Sequence, residues 1–121
     1  MAKKQGETAL RKAVDDLLSL HGWGVMRIYT GPIIVGKGDK APNPMAGFAD
    51  VIAIKRRVLC RINDEDICAG NVIFIETKSS KGVQTPAQKA FQAWCEEYGA
   101  PYFLVRSYED AEEQFKKAGV I

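Results

Sequence analysis

No part of this 121-residue sequence approaches the run of about 18 apolar residues that a membrane-crossing helix needs. The opening Met1-Ala2-Lys3-Lys4-Gln5-Gly6-Glu7 lacks the apolar centre of a secretory signal, which sets the expectation of a cytoplasmic protein with no membrane partner. Cysteine and histidine are scarce. Cys60, Cys68, Cys95 and the single His21 form no CxxC pair and offer no zinc-ligand spacing. Three cysteines leave one unpaired under any disulfide scheme, so reduced thiols are expected. An excess of one charge is lacking too: the formal net charge is +2, too small by itself to imply a polyanionic partner. No internal repeat or low-complexity tract is present.

What is there is the composition of an ordinary globular domain, 46% hydrophobic and 26% charged. Length predicts one domain over residues 1–121. A chain of this size buries roughly two-thirds of its unfolded surface and needs no disulfide staples.

Periodicity predicts a first helix from about Gln5 to His21, with Leu10, Val14, Leu17, Leu18 and His21 recurring at three- and four-residue steps before Gly22. Val25 to Thr30 reads as a short strand closed by Gly31-Pro32. Gly36 to Gly47, rich in Gly, Pro, Lys and Asn, reads as a mobile loop. Asp50 to Ile54 is a second strand. Lys55-Arg56-Arg57 then marks a turn or bulged edge into Val58–Ile62, and the acidic tip Asn63-Asp64-Glu65-Asp66 turns the chain back. Val72-Ile73-Phe74-Ile75-Glu76 is nearly continuous in β-formers, as a central strand buried on both faces requires.

The second helix starts with Thr85 as N-cap, Pro86 in the first position and Gln88 at the capping-box position. Ala87, Phe91, Trp94 and Tyr98 form its expected inward stripe, and Gly99 with Pro101 stops it. Tyr102–Val105 is a further strand, and Ser107 caps a last helix that runs to about Ala118. The order predicts an α/β fold, a mixed central sheet flanked by helices in α-β-β-β-α-β order plus a C-terminal helix.

Chemistry concentrates where the central strand ends. Glu76 and Lys78 lie two residues apart, so strand geometry puts them on one face, about 7 Å apart along it. A carboxylate and an ammonium at that spacing can hold a hard cation and a water side by side. Strand ends are also where α/β sheets commonly bind ligands. One carboxylate binds Mg²⁺ poorly, because the ion prefers octahedral oxygen ligands. A second is expected from a neighbouring strand, and Asp50 begins one after Gly47-Phe48-Ala49. Gly47 allows close approach of a phosphate or an unusual backbone angle.

Gly47-Phe48-Ala49-Asp50, then Ile75-Glu76-Thr77-Lys78, then Gln88 on the next helix, resembles the PD-(D/E)XK nuclease pattern with its restriction-endonuclease-like core. In detail it resembles the VRR-NUC family, found in DNA-repair nucleases and as stand-alone phage and bacterial proteins, over most of the chain from Glu7 to about Val105. The resemblance implies a divalent metal, Mg²⁺ or Mn²⁺, bound by Asp50, Glu76 and the Thr77 backbone carbonyl. Lys78 would orient or deprotonate the attacking water, and Gln88 would position the lysine or the phosphate. Glu7 would reach the metal through water. It further implies phosphodiester hydrolysis in branched DNA such as a four-way (Holliday) junction, and a homodimer. The chain departs from the family at Val105-Arg106-Ser107, where a further basic residue is frequent, and in its longer hairpin.

Blander readings stand beside these. Helix capping alone accounts for Gln88. The positive end of a helix dipole accounts for Glu7, although residues 7, 10, 14, 17 and 21 share one face, which points Glu7 inward. Gly31 to Gly38 almost matches a phosphate-binding P-loop, but Gly38 stands where the hydroxyl residue belongs and no helix follows, so no nucleotide cofactor is expected. A flexible loop touching DNA through Lys37 and Lys40 fits that segment better. Arg27, Lys55 and Lys81 lie close in sequence to the rim and are expected to meet phosphates. Arg11 and Lys12 suit a solvated helix face, Phe91 and Trp94 suit the core, and His21 suits a helix end. Two rival functions remain: a non-catalytic nucleic-acid-binding module with a nuclease fold, and a restriction-type enzyme, for which 121 residues scarcely hold the recognition segments.

Overall fold

A computed structural model describes residues 2–121, and their side chains from residue 6 onward, so the basic pair Lys3-Lys4 lies outside the described side chains. Helix α1 spans Ala2–Leu20, starting ahead of the expected Gln5. It buries Val14, Leu17 and Leu18 and half-buries Leu10. His21 does not join this stripe. It is exposed, and its Nδ1 donates to the Leu17 carbonyl at 3.0 Å, closing the helix end. Gly22, at φ +87°, then reverses the chain in the left-handed region that glycine enters freely.

Strands β1 (Gly24–Arg27), β4 (Val51–Ile62), β5 (Glu65–Thr77) and β6 (Tyr102–Val105) build one sheet in the order β1-β4-β5-β6. Pairing is antiparallel between β1 and β4 and between β4 and β5, and parallel between β5 and β6. Parallel neighbours need a crossover connection, and α2 (Pro86–Glu97) supplies it; α3 (Tyr108–Lys117) follows β6. The expected mixed α/β architecture is therefore present. Alternation along the strands sorts two cores. Val51, Ala53, Ile73, Ile75, Phe103 and Val105 pack with Val14, Leu17 and Leu18 of α1 and Ala111 and Phe115 of α3. Phe74, Tyr102, Phe48 and Ala49 meet Phe91 and Cys95 of α2.

Four expectations need correction. Residues 36–47 are not a structureless loop: β2 (Ile33–Val35) and β3 (Asp39–Ala41) pair as a small hairpin. The segment beyond is fixed by Asn43, whose Nδ2 donates to the carbonyls of Tyr29 and Gly31 at 2.8 and 3.0 Å. Lys55-Arg56-Arg57 is no turn but the middle of β4, with the register slipping later, between Val58 and Cys60. Ladder bonds are made by the backbone, so charges that point to solvent do not interrupt them. The reversal is confined to Asn63 and Asp64, at φ 50° and 64°, a two-residue turn of the kind that matches strand twist; Glu65 and Asp66 already belong to β5.

The fourth correction concerns α2. Its capping box forms as expected, with Thr85 and Gln88 bonding reciprocally. Its buried residues, however, are Phe91 and Cys95, whereas Trp94 is 52% and Tyr98 70% exposed. The inward face is rotated by one residue, so that Cys95 rather than Trp94 packs with Ala49. Trp94 and Tyr98 instead pack on each other, ring centroids 5.4 Å apart. Among the described residues, no helix is long and apolar enough to cross a membrane.

Candidate active site

The β4–β5 register, with Val51 opposite Ile75, carries Asp50 one step further to the place opposite Glu76. Residues directly opposite in an antiparallel pair project to the same face. Asp50 is anchored at both ends. Its carbonyl accepts from the Ile28 amide at 2.9 Å, extending the β1 ladder past Arg27. Its carboxylate accepts from the Thr77 hydroxyl at 2.9 Å and the Thr77 amide at 3.3 Å. Thr77 is 1% exposed, so its side chain is a fixed hook rather than a surface hydroxyl.

Glu76 is 4% exposed, and its Oε1 is buried with no hydrogen-bond partner among the described residues. A buried carboxylate oxygen without a donor costs free energy, and burial disfavours the charged form. Burial, followed by the nearby charge of Asp50, accordingly pushes the Glu76 carboxyl from its ordinary 4.5 up to about 8, against the opposing charges of Lys78 and Arg11. Asp50 is also raised, by burial above all, with the Thr77 hydroxyl and Arg11 pulling the other way. The charge of Glu7 adds to the repulsion felt by Glu76. Asp50, Glu76, Thr77, Lys78 and Glu7 thus come together at one end of the sheet.

Lys78 leaves β5 half-buried, its amide donating to the Val105 carbonyl at 3.0 Å. The loop beyond it is pinned by Arg106, whose guanidinium donates to the carbonyls of Ser79 and Gly82 at 2.9 and 2.6 Å. Beside this loop a groove of about 610 Å³ opens, lined by Gly6, Leu10 and Ala13 of α1 and by Ser79 and Arg106. Across the sheet end, Gly47 adopts φ +91°, and a Cβ there would lie 2.8 Å from Ala87. The glycine therefore admits the first turn of α2 and adopts the unusual backbone angle that its place before Asp50 led us to expect.

The remaining expected residues are spread more widely. Gln88 sits beside that contact, its side-chain oxygen accepting from the Thr85 amide at 2.8 Å. Arg27 is tied to Asp15 of α1 at 3.0 Å. Lys37 and Lys40 are exposed on the β2–β3 hairpin, and Lys81 is exposed on the loop before α2. Lys55 does not reach the rim. Five residues of strand separate it from Asp50, about 16 Å, and its ammonium lies over the Trp23 ring, 5.9 Å from the centroid.

Two residues were missed. Arg11 is not part of a solvated face: its Nε lies 3.2 Å from Asp50 Oδ2. The available signal was its position one helical turn after Glu7, which already pointed inward. Arg106 gave no signal, since its work is done on carbonyls distant in sequence.

Could these side chains hold a metal ion? Among the described residues no group of three or more His, Cys, Asp or Glu side chains comes together as ligands. Two carboxylates with a buried oxygen lacking a donor fit Mg²⁺ or Mn²⁺ instead, hard cations that take one or two carboxylates and keep several waters. The donor set fits.

The flanking helices and mixed sheet define an α/β fold that sets two buried acids at adjoining strand ends. More particularly, the fold is that of a VRR_NUC domain. A solved structure described as "VRR_NUC domain" superposes with a TM-score of 0.64 over 92% of this chain and 95% of the other, at 18% sequence identity. No protein-family model and no curated protein matches the sequence.

Proposed function

We propose that this protein is a divalent-metal-dependent DNA endonuclease that hydrolyses phosphodiester bonds. The observation that carries the reading is the buried Asp50–Glu76 pair, with Glu76 Oε1 lacking a donor among the described residues and its carboxyl raised to about 8. Such a pair is costly unless a cation completes it. Asp50, Glu76 and the Thr77 carbonyl would hold Mg²⁺ or Mn²⁺, with Glu7 reaching it through water. When bound, the metal supplies Lewis-acid stabilisation of charge on the phosphate and a more acidic water.

The chain's own residues supply the rest. Thr77 fixes the Asp50 carboxylate so that it does not swing away from the pair. Lys78, beside Glu76 at the strand end, orients or deprotonates the water, and Arg106 keeps the loop that follows Lys78 in place. Gln88 would position the lysine or the phosphate, while its side-chain oxygen serves the α2 cap. Arg27, Lys37, Lys40 and Lys81 remain candidates for phosphate contacts; Lys55 does not, given its distance from the rim. The substrate class we propose is branched DNA such as a four-way junction, cut by a homodimer whose two-fold symmetry presents two sites to two strands.

The test is cleavage of labelled linear duplex, flap and four-way-junction DNA with Mg²⁺, Mn²⁺ or EDTA, beside Asp50→Ala and Lys78→Ala. We expect metal-dependent cleavage, greatest on the junction, and its loss in both variants. Binding of DNA with no cleavage under any metal would identify a non-catalytic module. Cleavage of a single duplex sequence would identify a restriction-type enzyme. Sedimentation of the free protein tests the dimer.

A further inference from the structure

The proposed chemistry assigns no task to Arg11, yet this side chain lies against one of the two buried carboxylates. Its Nε is 3.2 Å from Asp50 Oδ2, an oxygen that already accepts from the Thr77 hydroxyl at 2.9 Å. The contact is an ion pair without a hydrogen bond, because the buried Nε finds no acceptor among the described residues. Opposite stands the complementary defect, Glu76 Oε1, buried without a donor among the described residues. A donor and an acceptor left unsatisfied in one small site each carry a desolvation cost. A guanidinium held by charge alone, without the bidentate fork that makes arginine–carboxylate pairs strong, is easily displaced.

The charge on Arg11 favours the ionised form of both Asp50 and Glu76. That is also what a divalent cation between them would do. Two cations at the same pair repel each other across a poorly screened site, so they compete for it. Arginine suits such a role because it stays charged at every physiological pH and is weakly hydrated.

We infer that Arg11 is a displaceable counter-ion: its guanidinium neutralises the Asp50–Glu76 pair until Mg²⁺ or Mn²⁺ arrives, and must give way for the metal to load. Arg11 thereby sets the metal concentration at which the site fills. This rests on the reading of Asp50 and Glu76 as the metal ligands.

The test is calorimetric titration with Mn²⁺ and no DNA, on wild type, Arg11→Gln, Arg11→Met, Arg11→Lys and Asp50→Asn, each checked for native circular dichroism. Met keeps the packing of the arginine stem and serves if the Gln variant misfolds. Arg11→Gln and Arg11→Met are expected to bind Mn²⁺ about ten-fold tighter than wild type, a typical coupling between competing sites. Arg11→Lys keeps the wild-type affinity, and Asp50→Asn loses binding. The metal-free melting temperature of the neutral variants falls below wild type, and saturating Mn²⁺ raises it by more. Unchanged or weaker Mn²⁺ binding by the neutral variants, with binding still lost in Asp50→Asn, overturns the counter-ion role and leaves the ligand assignment standing. Wild-type binding by Asp50→Asn, or no Mn²⁺ binding by the wild type, overturns both.

Discussion

β4 and β5 lie side by side for their full length, but their two ends are built for different purposes. At one end Val51, Ala53, Ile73 and Ile75 are sealed under α1 and α3, and Asp50 and Glu76 share their burial. At the other, residues 55–71 pair only with each other among the described residues. Val58 and Ile62 there are 52% and 55% exposed. Strand β5 even carries a glutamate near each end, Glu65 in solvent and Glu76 in the interior. The same residue type on the same strand thus meets opposite surroundings, and it is burial, not the strand, that lifts the Glu76 carboxyl above its ordinary value.

The sharpest way to break this comparison is to neutralise both glutamates. Glu76→Gln is expected to reduce junction cleavage about a thousand-fold while raising the metal-free melting temperature above pH 4.5, since it removes a carboxyl that must take up a proton to stay buried. Glu65→Gln is expected to leave both unchanged, and a comparable loss of cleavage there would dissolve the contrast. A pH series without metal follows next. The folded-state Glu76 carboxyl titrates above its ordinary 4.5, at about 8, so the folded protein binds this proton more tightly than the unfolded chain. Stability from this group is full below about 4.5 and declines until about 8. Melting temperatures across that window should fall in the wild type and flatten in Glu76→Gln.

Smaller effects refine the picture. Thr77→Val keeps the buried volume but removes the hydroxyl that donates to Asp50, at a cost of about 1–3 kcal/mol in chemical denaturation. Arg106→Ala frees the loop after Lys78, and a cleavage loss of about ten-fold with little change in stability is expected for a positioning residue. Ile62→Thr near the exposed tip is expected to change stability by less than about 0.5 kcal/mol. A larger cost would mean that the ribbon is covered by something in solution.

What the sequence made legible was local. The α2 capping box, the Ser107 cap of α3 and the strand through Ile73–Ile75 each depend on neighbours a few residues away, and all were readable. The placement of Glu76 beside Asp50 could be inferred as well, because an antiparallel hairpin must bring its two open ends together. Arg11, Thr77 as a hook and Arg106 escaped because their partners come from other elements. The proximity of Lys55 to Asp50 in sequence misled for the converse reason, since five residues in an extended strand are a long way. On α2, helical spacing put Trp94 on the inward face, but it is Cys95 that packs with Ala49 and Phe91.

The two-residue reversal at Asn63 and Asp64 has one more consequence. It divides the polypeptide so that Asp50 falls in the first half and Glu76 in the second. Severing the backbone there would yield two fragments, each holding one acid of the pair, that rebuild it only when they reassociate along the β4–β5 ladder, a natural seam for a split reporter of molecular proximity.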